Sequence, residues 1–418
     1  MTDEARVLVV GAGAAGLAAA VALTEAGLPV KVVDQARAPG GAVHRQPLPG
    51  GRGAGTAEHK RSFAALLKKV HAAGIEITCE TGFAGLDHTG TALLTGEGAG
   101  LLRPRGLVLA TGARELVQPR LGWTLPGVQT AGALQTRLKT LGVAPQGRIL
   151  LAGNGPLLLA VGAELAALGN PPIVIALGGR PFSLRGMRLP LPYQIEAARH
   201  LARLLAARVP VLTGAHLCAI SRHDDMLTAR IRTRRGLREF HADLLGLHDG
   251  IRPNDIGFAG NSPIPVEHAG DCREALGARA ALADGRRAGL ALSAQLLGKP
   301  APAPCPDVAR ERAAQQRLAA LFAPVDVPPL ADLPADTILC RCEGRTLGDL
   351  RALGPTPTVR QLRLTGRFAM GACQGRFCAE WVTRLAGRND LGLARMPLRP
   401  VPIADLLTLP DTSDGDLA

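Results

Sequence analysis

A short apolar run, Arg6–Val10, breaks into Gly11-Ala-Gly13-Ala-Ala-Gly16, and an Ala/Leu-rich segment follows to about Ala26. A second run, Val30–Val33, ends in Asp34, 23 residues after Gly11. Such runs read as strands buried on both faces of a parallel sheet. Each part of the turn between them has a mechanical role. Gly11 permits a tight turn, Gly13 lets the backbone approach a pyrophosphate, and Gly16 lets helix pack on strand. The helix N-terminus offers amides and dipole to phosphates, and Asp34 can accept from ribose hydroxyls. With strand, helix and acid all in place, the pattern predicts a dinucleotide-binding unit of an α/β fold.

Later segments select FAD over NAD. Pro39-Gly40-Gly41 follows Asp34 in the manner of flavoprotein loops. Gly106–Ala110 reads as a strand ending in Ala-Thr111-Gly112, the element on which two-dinucleotide-domain flavoproteins return to the first sheet. Gly270-Asp271 resembles their late Gly-Asp element, where the acid meets the ribityl–phosphate part of FAD. A plainer role for Asp271, as an N-cap or turn residue, is compatible with that one. A helix from about Ala275 would aim its N-terminus at the flavin pyrimidine.

The second nucleotide turn is damaged. After the strand Gly147–Ala152 comes Gly153-Asn-Gly155-Pro156-Leu-Leu158, with leucine at the third glycine position and a proline that removes an amide. The next strand runs into Gly178-Gly-Arg180 and lacks the acid that a domain reading NADH would place there. The fold of a nicotinamide domain is expected, without its hydride donor. ATP or another adenylate, NAD(P), or no ligand at all remain open for this turn. Neither half carries a close cysteine pair beside the flavin motifs, which argues against disulfide reductase chemistry.

Cysteines gather instead near the C-terminus: Cys340 and Cys342 in Cys-Arg-Cys, then Cys373 and Cys378 in Cys-Gln-Gly-Arg-Phe-Cys. Two tight pairs can converge on one metal centre, and four thiolates suit zinc or an iron–sulfur cluster. Cys-x-Cys is less usual for structural zinc than Cys-x2-Cys, and no histidine lies in the segment, so [2Fe–2S] leads. Gly371 and Gly375 permit turns that would aim backbone amides at the sulfurs. Thr346–Leu353, Thr358–Leu364 and Ala379–Leu385 read as helical. Cys79, Cys218, Cys272 and Cys305 have no spaced partner and read as incidental thiols.

The chain of 418 residues has room for several cores, and its formal charge is +13. Of 48 basic residues only six are lysine, and they are scattered rather than strung along a helix, so a nucleic-acid partner is not expected. The Met-Thr-Asp-Glu start shows no basic n-region, and the apolar runs are broken by glycine or by Asn154 and Glu164. A cytoplasmic protein is expected, with membrane contact at most peripheral at the inner face. The expected division is 1–142, a first FAD-binding part; 143–245, a degenerate second dinucleotide domain; 246–298, the FAD return segment; 299–335, a Pro/Ala-rich linker; 336–398, a small, mainly α-helical [2Fe–2S] domain; and 399–418, a tail.

Cys340-Arg-Cys-Glu343 with Gly366-Arg-Phe-Ala-Met-Gly371-Ala-Cys-Gln-Gly-Arg-Phe-Cys378 resembles the signature of the bacterioferritin-associated-ferredoxin-like domain. It resembles in particular the form fused to FAD-binding α subunits of multi-subunit amino-acid and opine dehydrogenases and oxidases. That group includes opine oxidase, D-hydroxyproline and L-proline dehydrogenase, and hydrogen cyanide synthase. Trp123-Thr-Leu-Pro-Gly127, Gly153-Asn-Gly-Pro-Leu157 and His248-Asp-Gly-Ile-Arg-Pro253 extend the likeness over nearly the whole chain. The resemblance implies Cys340, Cys342, Cys373 and Cys378 as cluster ligands. It also implies a glycine-oxidase-like β subunit that takes the hydride from a carbon next to an amine, a small ferredoxin-like subunit, and a respiratory acceptor. An FMN at a subunit interface stays open. Ala42 stands where the family often has glutamine, and the segment between Arg45 and Gly106 is short. No general base for amine oxidation is evident, since His44, His248 and His268 read as packing or solvated residues. A self-sufficient NAD(P)H-dependent reductase feeding a ferredoxin-like partner is the alternative, and a non-catalytic scaffold with a zinc site is another.

Overall fold

The computed structural model describes residues 6–50, 57–182, 188–256, 262–325, 329–391 and 396–407. Two five-stranded parallel sheets carry most of the chain. The first runs in the order Val266–His268, Gly106–Leu109, Val7–Val10, Val30–Val33, Glu76–Thr78. Val7, Leu8, Val9, Leu107, Val108 and Leu109 are fully buried in it, as the uninterrupted apolar runs require. Helices α1 (Ala14–Glu25) and α2 (Ala57–Ala72) cross over between its strands. The second sheet runs Val211–Thr213, Val174–Leu177, Ile149–Gly153, Leu244–His248, Val128–Thr130, with α3 (Ala131–Leu141), α4 (Leu157–Ala167) and α5 (Leu191–Ala206) around it. Val128–Thr130 and α3 thus pack with the second sheet although they precede residue 143.

Each half inserts a three-stranded antiparallel meander before its return strand. These are Thr81–Leu86, Ala92–Gly96 and Gly100–Leu102 in the first half, and His216–His223, Met226–Thr233 and Gly236–Ala242 in the second. The two chain crossings between halves pair as an antiparallel ribbon, Ala113–Glu115 with Ile251–Pro253.

Helix α6 (Ala278–Leu296) lies on α1 at a distance only small residues allow. A Cβ on Gly285 would come within 2.1 Å of the Ala15 carbonyl oxygen, and one on Gly289 within 2.5 Å of that of Ala19. The helix begins three residues later than the expected Ala275. Asp271 Oδ1 accepts from the amides of Leu276 (3.0 Å) and Gly277 (2.7 Å), which stabilises a turn ahead of the first helical residue.

The segment read as a linker holds α7 (Pro306–Leu321), a surface helix fastened to both halves. Arg312 makes a two-pronged pair with Glu274 at 2.7 Å and 2.7 Å, Tyr193 donates to Glu311 at 2.6 Å, and Phe322 is buried in the second half's core. Beyond it, a two-stranded ribbon (Ile338–Cys340 with Arg345–Thr346) precedes α8 (Leu347–Arg351) and α9 (Ala379–Leu385) around a core of Leu339, Leu350, Leu362, Phe368 and Val382. Thr346 and Asp349 form a reciprocal capping box on α8. The stretch expected to be helical from Thr358 is a wide π-type turn over Gln361–Thr365. The chain then returns to the first half, where Leu398 is buried and its amide donates to the Ala84 carbonyl at 2.6 Å. A last short helix, α10 (Ile403–Leu407), ends the described chain, and the tail from position 408 lies outside the described residues.

Candidate functional site

One open cavity of about 1690 Å³ joins the flavin motifs, the second nucleotide turn and the cysteine loop. That exceeds the volume of a pocket for one compact ligand. Gly11, Gly13, Asp34, Gly40, Gly41, Thr111, Gly112 and Asp271 line its first end; Gly16 and Gly270 stand behind that wall.

The glycines divide by what a side chain would meet. Gly11 has φ +110°, and a Cβ there would sit 2.4 Å from the Ala110 carbonyl oxygen of the return strand. A Cβ on Gly16 would sit 1.8 Å from the Gly11 oxygen, so this residue sets the helix-to-strand distance. A Cβ on Gly13 meets nothing nearer than the Gly41 Cα at 3.8 Å. The protein therefore leaves space at Gly13, over the N-terminus of α1, where a pyrophosphate fits. Gly41 (φ +60°) closes the other side, and Gly40 donates its amide to the Ala12 carbonyl at 2.9 Å.

Asp34 Oδ2 accepts from the Ala12 amide at 2.6 Å, and Oδ1 accepts from that of Ala36 at 2.7 Å. The carboxylate braces the turn and keeps lone pairs for two ribose hydroxyls. Thr111 donates its hydroxyl to the Asn254 carbonyl, pinning the return segment. Gly112 (φ +72°) faces open space. Gly270 (φ +65°) packs on Ala15, and its amide donates to Asp284 at 2.7 Å. Burial pushes the Asp271 carboxyl above its ordinary range, against the pull of its two amide donors. The arrangement fits FAD: amides and space at Gly13, an acceptor at the ribose position, and a second acid at the far end.

Among the described residues no group of three or more His, Cys, Asp or Glu could hold a metal ion. The four C-terminal thiols meet as two pairs, Cys340 with Cys378 and Cys342 with Cys373, within reach of one another's charge. The hydrogen bond from Cys378 pushes the Cys340 thiol down to about 6, and the resulting thiolate pushes that of Cys378 up. Burial pushes the Cys342 thiol up. Backbone amides of Ala369, Glu343 and Cys342 point at Cys340, and that of Cys373 at Cys342. Gly371 is needed here, since its Cβ would lie 2.4 Å from the Cys342 Cβ. Arg367, Ala369 and Gln374 hold left-handed backbone at φ +61°, +60° and +50°, so strain gathers on the loops that carry the sulfurs.

Of the histidines near the flavin motifs, His44 stacks on Phe63 at 4.7 Å. Burial pulls the imidazole of His268 below its ordinary range. His248 is buried with Nδ1 2.9 Å from Glu115 Oε1, which also accepts from the Gly132 amide at 2.9 Å. This Glu115–His248 pair lines the cavity and went unread in the sequence, since its members lie 133 residues apart. Cys79, Cys218, Cys272 and Cys305 form no disulfide. Among the described residues no helix is long and apolar enough to cross a membrane.

Two parallel dinucleotide sheets, a glycine turn with its acid and a shared cleft define a two-dinucleotide-domain flavoprotein. Residues 5–273 match the pyridine nucleotide-disulphide oxidoreductase family, and the chain belongs to this family of FAD-dependent oxidoreductases. It is 31% identical to the A subunit of opine oxidase from Rhizobium meliloti (strain 1021), over 96% of this chain and 98% of the relative. It is 32% identical to the A subunit of opine oxidase from Agrobacterium tumefaciens (strain Ach5), over 99% and 93%. Against the HcnB subunit of hydrogen cyanide synthase from Pseudomonas aeruginosa the identity is 29%, over 96% and 97%. Among solved structures, L-proline dehydrogenase from P. horikoshii superposes with a TM-score of 0.64 at 18% identity, covering 96% of this chain and 79% of that one.

Proposed function

We propose that the chain is the flavin and iron–sulfur subunit of a multi-subunit amine or amino-acid dehydrogenase, relaying electrons from a partner subunit to a respiratory acceptor. The observation that carries this is the single cavity running from Gly13 and Asp34 to Ala372 and Arg376 in the cysteine loop. Relatives named as subunits of opine oxidase and hydrogen cyanide synthase support the multi-subunit setting.

FAD would supply two-electron storage and a cluster one-electron transfer. The chain's own residues position both. Gly11 and Gly16 shape the turn, Gly13 with the α1 amides would receive the pyrophosphate, and Asp34 would receive the ribose. Gly40, Gly41, Thr111 and Gly112 line the pocket, Asp271 would face the ribityl side, and Gly270 backs it by packing on Ala15. Cys340, Cys342, Cys373 and Cys378 would hold the cluster. The Cys-x-Cys spacing and the lack of histidine in the segment suit [2Fe–2S] better than structural zinc. Specificity for the amine would reside in a glycine-oxidase-like partner, and a small ferredoxin-like protein would be a further component.

An anaerobic absorbance titration of the purified chain, with metal analysis, tests this. Flavin and cluster bands that ignore NADH and bleach with dithionite, together with iron, are the expected outcome. Prompt bleaching by NADH would make the chain a reductase in its own right. Zinc without iron would sink the cluster assignment.

A further inference from the structure

The chain has two tryptophans, and each bonds across the contact between the cysteine domain and the dinucleotide halves. Trp123, in the segment joining the two halves, donates its indole N–H to the Ile338 carbonyl at 2.7 Å, two residues before Cys340. Trp381, three residues after Cys378, donates back to the Val117 carbonyl at 3.1 Å. Their exposures are 7% and 5%; the Trp381 bond is buried and the Trp123 bond partly so. Leu116, Leu330 and Trp381 form an apolar cluster of their own at the contact, with Leu333 and Leu385 packed on it. Outside it, Arg252 grips Glu380 with two bonds of 2.8 Å and 3.1 Å, tying α9 to the ribbon that links the halves.

We infer that Trp123 and Trp381 are positioning residues, a reciprocal clamp that holds the cysteine domain in one pose against the flavin cavity. This deepens the relay reading and rests on it for its purpose. A carrier domain that swings between donor and acceptor needs an interface that opens. Domain contacts of that kind are small and polar. Here, opening would trade two indole–carbonyl bonds for bonds to water and would expose the apolar cluster of Leu116, Leu330 and Trp381. In the clamped pose Ala372 and Arg376 stay on the wall of the flavin cavity, and an electron-transfer partner would come to the cysteine domain where it stands.

Trp381 lies in the apolar cluster at the contact and reports on it directly, whereas Trp123 also packs in the second half's core. In the Trp123→Phe chain the remaining indole, that of Trp381, is expected to resist iodide quenching, whether or not FAD is bound. Trp381 quenched as readily as free tryptophan there would overturn the clamp. Amide exchange across 337–342 is expected to speed about tenfold in W381F, which keeps an aromatic ring and loses the bond. In the assembled dehydrogenase, W381F should lower dye reduction at saturating amine about tenfold with KM unchanged, because a small misplacement acts on transfer and not on binding. Unchanged turnover, with exchange faster, would overturn the positioning role. A protected Trp381 in a chain that carries zinc would leave the clamp standing and sink the relay. A quenched Trp381 in an iron-bearing chain would do the reverse.

Discussion

The two dinucleotide halves follow the same course and end differently. Each runs strand, glycine turn, helix, strand, helix, strand, meander and return strand. The first glycine serves both alike: a Cβ on Gly153 would lie 1.9 Å from the His248 carbonyl oxygen, as one on Gly11 would lie 2.4 Å from that of Ala110. The halves then part. Leu158 stands where the first half has Gly16, and it is fully buried among Leu151, Val161 and Ile175. Gly178 stands where the first half has Asp34, and Asn154 Oδ1 is left buried without a hydrogen-bond partner. The comparison teaches that the return strand dictates the first glycine, whereas the third glycine and the acid persist where a ligand and a close helix demand them.

Importing the second half's choice into the first is the harshest way to break that comparison. Gly16→Leu would drive a side chain into the Gly11 carbonyl, which is backbone and cannot give. A loss exceeding ~3 kcal/mol and no retained FAD are expected in thermal melts and flavin content. The reverse swap, Leu158→Gly, removes a fully buried side chain and should cost about 3–5 kcal/mol by denaturant melts, without creating NADH reduction. Flavin bleaching by NADH in that variant would show that the leucine alone closes the second site.

Gly13→Ala sharpens the contrast more gently. Its Cβ would meet only Gly41 Cα at 3.8 Å, so the apo chain should melt within about 1 °C of the parent. The FAD dissociation constant should rise about 10–100-fold, because the methyl takes pyrophosphate space.

The smallest effects concern pH. Asp284 in the first half is buried, and hydrogen bonds from Arg273 and Arg287 with their charge hold its carboxyl below the ordinary range despite that burial. Its contribution is present above the unfolded carboxyl's range and is lost as pH falls through the folded value. Burial pushes Glu164 in the second half up instead. Its contribution is present below the unfolded value and is lost as pH rises through the folded one. Melts from about pH 3 to 8 should therefore show Asp284→Asn flattening the acid limb and Glu164→Gln flattening a fall toward neutrality. Identical profiles for the two variants would refute the opposite assignments.

Much of this was legible in order along the chain. The strand at Val7–Val10, helix α1, Asp34 at the end of Val30–Val33, and α9 over Ala379–Leu385 follow from apolar runs and glycine spacing, which act locally. The late start of α6 was not legible, since Asp271 commits its carboxylate to two amides ahead of the helix. Nor were the ties of α7 legible in its composition, since Arg312 and Glu311 find partners 38 and 118 residues away.

By itself the sequence determined the two nucleotide turns, the damage to the second, and the pairing of cysteines into one domain, because each is written in neighbouring residues. Only the tertiary structure decided that the thiols meet crosswise, 340 with 378 and 342 with 373, and that Glu115 meets His248. It alone decided that both tryptophans bond across one contact, which joins the cysteine loop to the flavin cleft. Those contacts span tens to hundreds of residues, and no local propensity encodes them. They exist because the entropy of closing the loops between them is offset by apolar burial and by hydrogen bonds that are buried or partly so.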